Sequence, residues 1–240
     1  MKLFSLLFFS AFAGSTQAMP ALDDDAMTER LAACAACHGA RGEGTPGAEY
    51  YPHLAGKPAG YLFVQMQGFR DGRRHYPQMV YLMRNWDDAW LWRIADFYSS
   101  QPMTTLDHAP PAALPPEQRA RAMQLVHEGD AARGLPACTR CHGAHLEGRE
   151  PGIPALAGLP VDYLIAQLGG WLTGARHSLE PDCMSQVVQH LQPGDIRLVS
   201  TYLAGLVPDL DSRPMPASDE PLPLACGGTT FPAAAAEMSP

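Results

Sequence analysis

The chain is built twice, and that duplication limits its folding more than any other feature. The segment CAACHGARGEG at 34–44 returns as CTRCHGAHLEG at 138–148, an offset of 104 residues. A second block, PHLAGKPAGYLFVQMQGFRDGRR from Pro52, returns as PALAGLPVDYLIAQLGGWLTGAR from Pro154 at an offset of 102. Tyr61, Gln65 and Gly72 of one copy match Tyr163, Gln167 and Gly174 of the other. Two similar units of about 100 residues each, with a core apiece, are what such a repeat can fold into. Between the copies, QPMTTLDHAPPAALPP at 101–116 holds five prolines, which block a helix and lack donors for a sheet. That stretch is the expected linker.

Each copy closes on an amphipathic segment. Asp87–Tyr98 and Pro193–Leu206 start at capping or first-turn residues. Their apolar side chains fall at helical spacing: Trp90, Ile94 and Phe97 in one, Ile196, Val199, Leu203 and Leu206 in the other. Asp23–Ala36 and Pro116–Ala132 lead into the cysteines, and Pro58–Gly72 and Pro160–Leu172 form middle helices. No run alternates as strands do, and 23 prolines with 22 glycines keep helices short. The expected fold class is all-α, with three to four short helices per copy. The tail from Pro208 to Pro240 is rich in Pro and Ala and is expected to be extended on the surface unless Cys226 ties it down.

Both copies carry C-x-x-C-H, as Cys34, Cys37, His38 and as Cys138, Cys141, His142. In a helical turn the two cysteines share a face about 5–6 Å apart, and the histidine follows on that face. Two thiols so placed can form thioethers with the two vinyls of a haem while the imidazole reaches its iron, and the motif is the signature of that attachment. A zinc site would want cysteine pairs about 15–20 residues apart; here 100 residues separate Cys37 from Cys138. A thioredoxin-like pair needs a βαβ context that this chain lacks. The sequence predicts two covalently bound haem c groups.

A sixth ligand, or an open position, then separates carrier from catalyst. Met79 lies 18 residues before Phe97 and Met184 lies 18 before Tyr202, so the copies place a methionine identically and these two are assigned to the irons. Met66, Met83 and Met123 lack repeat-matched partners and read as packing residues. His75 and His177 match across the copies, four and seven residues before the methionines; either could compete as a ligand, but they read as surface or propionate-side residues. Pro52 follows His38 by 14 and Pro154 follows His142 by 12, where a backbone carbonyl can accept from the second imidazole nitrogen and fix the ring. The matched Arg74 and Arg176 are candidates to pair with haem propionates.

Residues 1–18, MKLFSLLFFSAFAGSTQA, combine Lys2, an apolar run from Leu3 to Ala13 and a small-residue end at Thr16 and Ala18. That is the pattern of an export signal cleaved after Ala18. The run is too short for a span of about 20 residues. The mature chain is expected in the periplasm, with at most a peripheral association with a membrane complex. A net charge of −8 disfavours nucleic acid as a partner. It suits a redox protein that presents a basic docking patch.

CAACHGARGEG, PHLAGKPAGYLFVQMQGFRDGRR and QMVYLM, with their second copies, resemble the dihaem cytochromes of the cytochrome c4 family over about Leu22–Val207. The resemblance implies two tandem class I cytochrome c domains in a pseudo-twofold arrangement, here 19–100 and 117–207. It also implies axial pairs His38 with Met79 and His142 with Met184. Electrons would arrive from a dehydrogenase or quinol-oxidising complex and leave for a terminal oxidase or other acceptor. A dihaem peroxidase, a sulfur-compound dehydrogenase using Cys183 as an axial thiolate, or a redox subunit of a larger complex are the alternatives. Cys183 and Cys226 remain once four of six cysteines hold haem. Exported proteins rarely keep free thiols, so a bridge between them is expected, pinning the tail over the Met184 side of the second haem. The competing reading is Cys183 as a ligand or reactive thiol and Cys226 as a lipid or partner attachment point.

Overall fold

Glycine- and proline-rich connections allow only short helices, and these make up the chain. The computed structural model describes residues 24–45, 47, 50–103 and 111–229. The expected export signal at 1–18 lies outside them, as do 104–110 of the linker and 230–240 of the tail. In the first half run α1 (Asp24–Arg30), α2 (Ala32–His38), α3 (Ala59–Arg70), α4 (Pro77–Met83) and α5 (Asp88–Ser100). The second half holds α6 (Pro116–His127), α7 (Thr139–His142), α8 (Val161–Thr173), α9 (Cys183–Gln189) and α10 (Asp195–Ala204). Single 3₁₀ turns lie at Ala131–Arg133 and Gly227–Thr229. Among the described residues there is no strand, only isolated bridges, so the fold is all-α.

Two segments expected as single helices are broken. The first breaks at Leu31, whose backbone sits at φ −90°, ψ 10° and whose side chain is wholly buried beside Met27. The kink lets both Met27 and the cysteine-bearing turn face inward. The helix expected over 116–132 stops at His127 because Gly129 turns left-handed at φ +79°, where a Cβ would run into the Leu135 carbonyl.

Each half has its own apolar core. In the first, Leu62 and Phe63 of α3 meet Leu91, Ile94 and Tyr98 of α5. In the second, Leu125 and Val126 of α6, Leu164 of α8 and Val199 and Leu203 of α10 converge. Burying each large side chain contributes about 1.5–3 kcal/mol. Asp87 fixes the start of α5 by accepting the Trp90 N–H at 2.9 Å, a cap worth about 1 kcal/mol.

The halves join through the same residues of each copy. The His75 N–H donates to the Ala175 carbonyl at 2.8 Å and the His177 N–H to the Arg73 carbonyl at 2.6 Å, an antiparallel bridge centred on Arg74 and Arg176. This reciprocity is a local pseudo-twofold. The tail is held at two points: Met215 exchanges backbone bonds with Gly148 and Glu150, and Cys226 is disulfide-bonded to Cys183. The bridge expected from cysteine parity is therefore present. Among the described residues no helix is long and apolar enough to cross a membrane.

Candidate functional site

Two clefts of like size, about 1520 and about 1500 Å³ counting the space at their mouths, open one in each half. Cys34, Cys37, His38 and Met79 line the first. Cys138, Cys141, His142 and Met184 line the second. The two C-x-x-C-H motifs each end a short helix, and the chain then folds back on itself. The Gly44 N–H donates to the His38 carbonyl and the Gly148 N–H to the His142 carbonyl, each at 2.7 Å. Both glycines have left-handed φ, +92° and +87°, which side chains rarely tolerate.

That return brings a proline carbonyl to each ring. Nδ1 of His38 lies 2.9 Å from the Pro52 carbonyl and Nδ1 of His142 lies 2.8 Å from the Pro154 carbonyl. A carbonyl only accepts, so Nδ1 carries the proton and Nε2 keeps its lone pair for a metal. Burial pushes both imidazoles below their ordinary pKa, against the opposing pull of those carbonyls, and so favours the neutral ring a metal needs.

The four motif cysteines are unbridged. Burial pushes the Cys138 thiol up to about 12 and raises Cys34 and Cys141 as well. Thioredoxin-type nucleophiles need the opposite shift. The inner surface of both clefts is otherwise mostly apolar, with Lys57, Gln65, Gln167 and Arg176 among the polar side chains that border both, a setting that fits a large, flat, hydrophobic cofactor and not a hydrated ion. Among the described residues no cluster of three His, Cys, Asp or Glu side chains forms a separate metal site.

Met79 sits in the first turn of α4, which starts on Pro77. Met184 sits in the first turn of α9, where Asp182 accepts the Ser185 N–H at 3.1 Å and also holds the Ser178 N–H at 2.7 Å and the Trp171 ring N–H at 3.1 Å. Cys183, beside Met184, is tied up in its disulfide and has no thiolate to offer. Met66 and Met83 are buried in the first core as expected, whereas Met123 is exposed on the outer face of α6. His75 and His177 are exposed, and their backbones make the join between the halves.

Arg74 and Arg176 do more than the sequence suggests. Arg74 donates to Gln65 at 3.0 Å, to Gln167 at 2.5 Å and to the Tyr163 hydroxyl at 3.3 Å. Arg176 donates to Gln167 at 2.8 Å and to Gln65 at 2.9 Å. Each guanidinium also covers a matched ring, Phe69 at 4.6 Å and Trp171 at 3.9 Å. Gln65, Tyr163, Gln167 and Arg176 of this box line both clefts, and Arg74 lines the first. Sequence reasoning missed Lys57, which also borders both, and Leu222 and Leu224 of the tail, which line the second cleft. For Lys57 the available signal was a broken match: Leu159 stands in its place in the second copy.

The family model for cytochrome c matches residues 27–121. Cytochrome c4 from Pseudomonas aeruginosa is 34% identical over 206 residues, covering 85% of this chain and 98% of that one. The chain belongs to the cytochrome c4 family. A thiosulfate dehydrogenase electron acceptor from Thiomonas intermedia is 34% identical over 174 residues, 72% of this chain and 78% of its own. The crystal structure of reduced recombinant cytochrome c4 from Pseudomonas stutzeri superposes with a TM-score of 0.65 at 30% identity, covering 78% of this chain and all of that one. Membership of the cytochrome c4 family implies covalent haem c, and the two C-x-x-C-H motifs fit two haems. The chain is accordingly a dihaem electron-transfer protein.

Proposed function

We propose that the protein is an exported, periplasmic carrier of single electrons. In this reading His38 with Met79 and His142 with Met184 hold the irons, 19–100 and 117–207 each enclose one haem, and 101–116 joins them. Bound haem supplies one-electron exchange at iron. The chain supplies burial, orientation and ligands. The observation that carries the proposal is that each apolar cleft contains a histidine with its Nε2 lone pair left free and a repeat-matched methionine. Such a pair leaves no vacant coordination position for a peroxide or a sulfur compound. The thiolate route through Cys183 lacks support because that sulfur is bonded to Cys226.

The electron donor is a respiratory complex or dehydrogenase and the acceptor a terminal oxidase or another redox protein. Support for a dehydrogenase donor comes from the Thiomonas relative, named for accepting electrons from thiosulfate dehydrogenase. A combined optical and electron paramagnetic resonance titration of the purified holoprotein tests the axial pairs. Two low-spin haems of histidine–methionine type are expected. A high-spin or thiolate-type signal, or turnover of peroxide or thiosulfate by the protein alone, contradicts the carrier reading.

A further inference from the structure

Three basic side chains meet between the clefts without a carboxylate among them. Arg74, Arg176 and Lys57 form no ion pair among the described residues. The two arginines are hydrogen-bonded to Gln65, Gln167 and tyrosine, but Lys57 stands apart. It is 3% exposed, its Nζ has no hydrogen-bond partner, and it borders both clefts. Its counterpart is Leu159, so the charge has no twofold mate. Of 17 basic residues only Lys2 and Lys57 are lysines, and Lys2 falls in the expected export signal. The single lysine beyond that signal is therefore buried, where lysine almost never goes unpaired.

A buried ammonium with no hydrogen-bond or anionic partner is costly and asks for an anion. With protein groups alone around it, burial pulls Lys57 down to about 8. Burial acts to raise the neighbouring Tyr61 phenol, but Arg176, Arg74 and Lys57 outweigh it and hold that phenol below its ordinary value. The cluster thus has an excess of positive charge, and each haem brings propionates as anions. We propose that Lys57 is a counter-ion shared by propionates of both haems and that its charge raises both reduction potentials. The proposal rests on the two-haem reading of the clefts and is independent of which side chains bind the irons.

Potentiometric titration of wild-type, Lys57→Met and Lys57→Arg holoproteins tests it. Lys57→Met should lose about tenfold or more in the reduction equilibrium constant at both haems, which is about 59 mV or more for each one-electron couple. Lys57→Arg, which keeps the charge, should stay within about threefold of wild type. Unshifted potentials in Lys57→Met with both haems attached overturn the proposal. So does a shift confined to one haem, or an equal fall in both variants, which would mark packing and not charge. Should Lys57→Met fail to take up haem, wild-type protein labelled with ¹⁵N-lysine reports on the same contact. One slowly exchanging ammonium resonance that moves between oxidised and reduced protein is expected; a fast-exchanging one insensitive to oxidation state overturns the assignment. A departure from histidine–methionine spectra in the wild type would undo the axial assignment and leave this comparison intact.

Discussion

Which nitrogen a histidine leaves free decides the chemistry of each cleft, and here backbone carbonyls decide it. Pro52 and Pro154 fix the His38 and His142 tautomers, so in the proposed carrier the second ligand is the remaining variable. Met79→Ala and Met184→Ala are each expected to open one iron, to admit carbon monoxide to the reduced protein at that site and to lower its potential. A fall of about 59 mV is a tenfold change in equilibrium constant, well within the reach of a spectroelectrochemical titration. An unchanged spectrum in either variant would send the search to another ligand. Much of this was legible beforehand. The C-x-x-C-H motifs carry their own spacing, and the intervals of 14 and 12 residues to Pro52 and Pro154 suffice to find the carbonyls. Lys57 was only half legible: its mismatch with Leu159 marks it, but a lone lysine reads as solvated and only the three-dimensional closure of two clefts around it reveals its burial.

Among the elements, the short helices and the tail were the hardest to read. α4 and α9 have 7 residues each, too few for an apolar period to emerge, and they exist because Pro77 and the Asp182 cap start them where the clefts supply packing. α5 and α10, by contrast, show their stripes in sequence, and Ile94, Phe97, Ile196, Val199 and Leu203 are buried as their spacing predicts. The tail's composition suggests only an extended surface segment. Met215 anchors it beside the loop that follows His142, Cys226 anchors it beside Met184, and Leu222 and Leu224 between them line the second cleft. The first cleft has no such strap among the described residues. The bridge spans 43 residues, and in the chain-entropy model a loop of that size contributes about 4 kcal/mol. Cys183→Ala with Cys226→Ala should therefore cost the second half up to about 4 kcal/mol in denaturant unfolding followed at its haem band. The same variant should speed reduction of that haem by a small reductant, and an unaltered rate would mean that the strap does not shield it.

Across the whole molecule, two cores and two clefts predict independent sites. His142→Ala should leave the first haem attached, low-spin and near its wild-type spectrum, and loss of both haems from a folded chain would contradict that independence. Beside the backbone bridge, the halves are tied by the arginine–glutamine box, whose members each serve their own copy and the other. Arg176 reaches Gln65 across the seam at 2.9 Å while donating to Gln167 in its own half at 2.8 Å. It is buried, so removing Gln65 leaves a guanidinium hydrogen bond unmade where water cannot replace it, a loss of about 1.5–3 kcal/mol for a charged donor. A double-mutant cycle of Gln65→Ala and Arg176→Ala should return a coupling of about 1–3 kcal/mol, because the two share one contact. The pair of substitutions should also separate the unfolding of the halves into two transitions, since a chain with two cores stays cooperative only while the seam binds them. A coupling below about 0.5 kcal/mol with a single retained transition would show that the backbone bridge at Arg74 and Arg176 holds the halves unaided, and that the box serves the haem groups on either side of it and not the join.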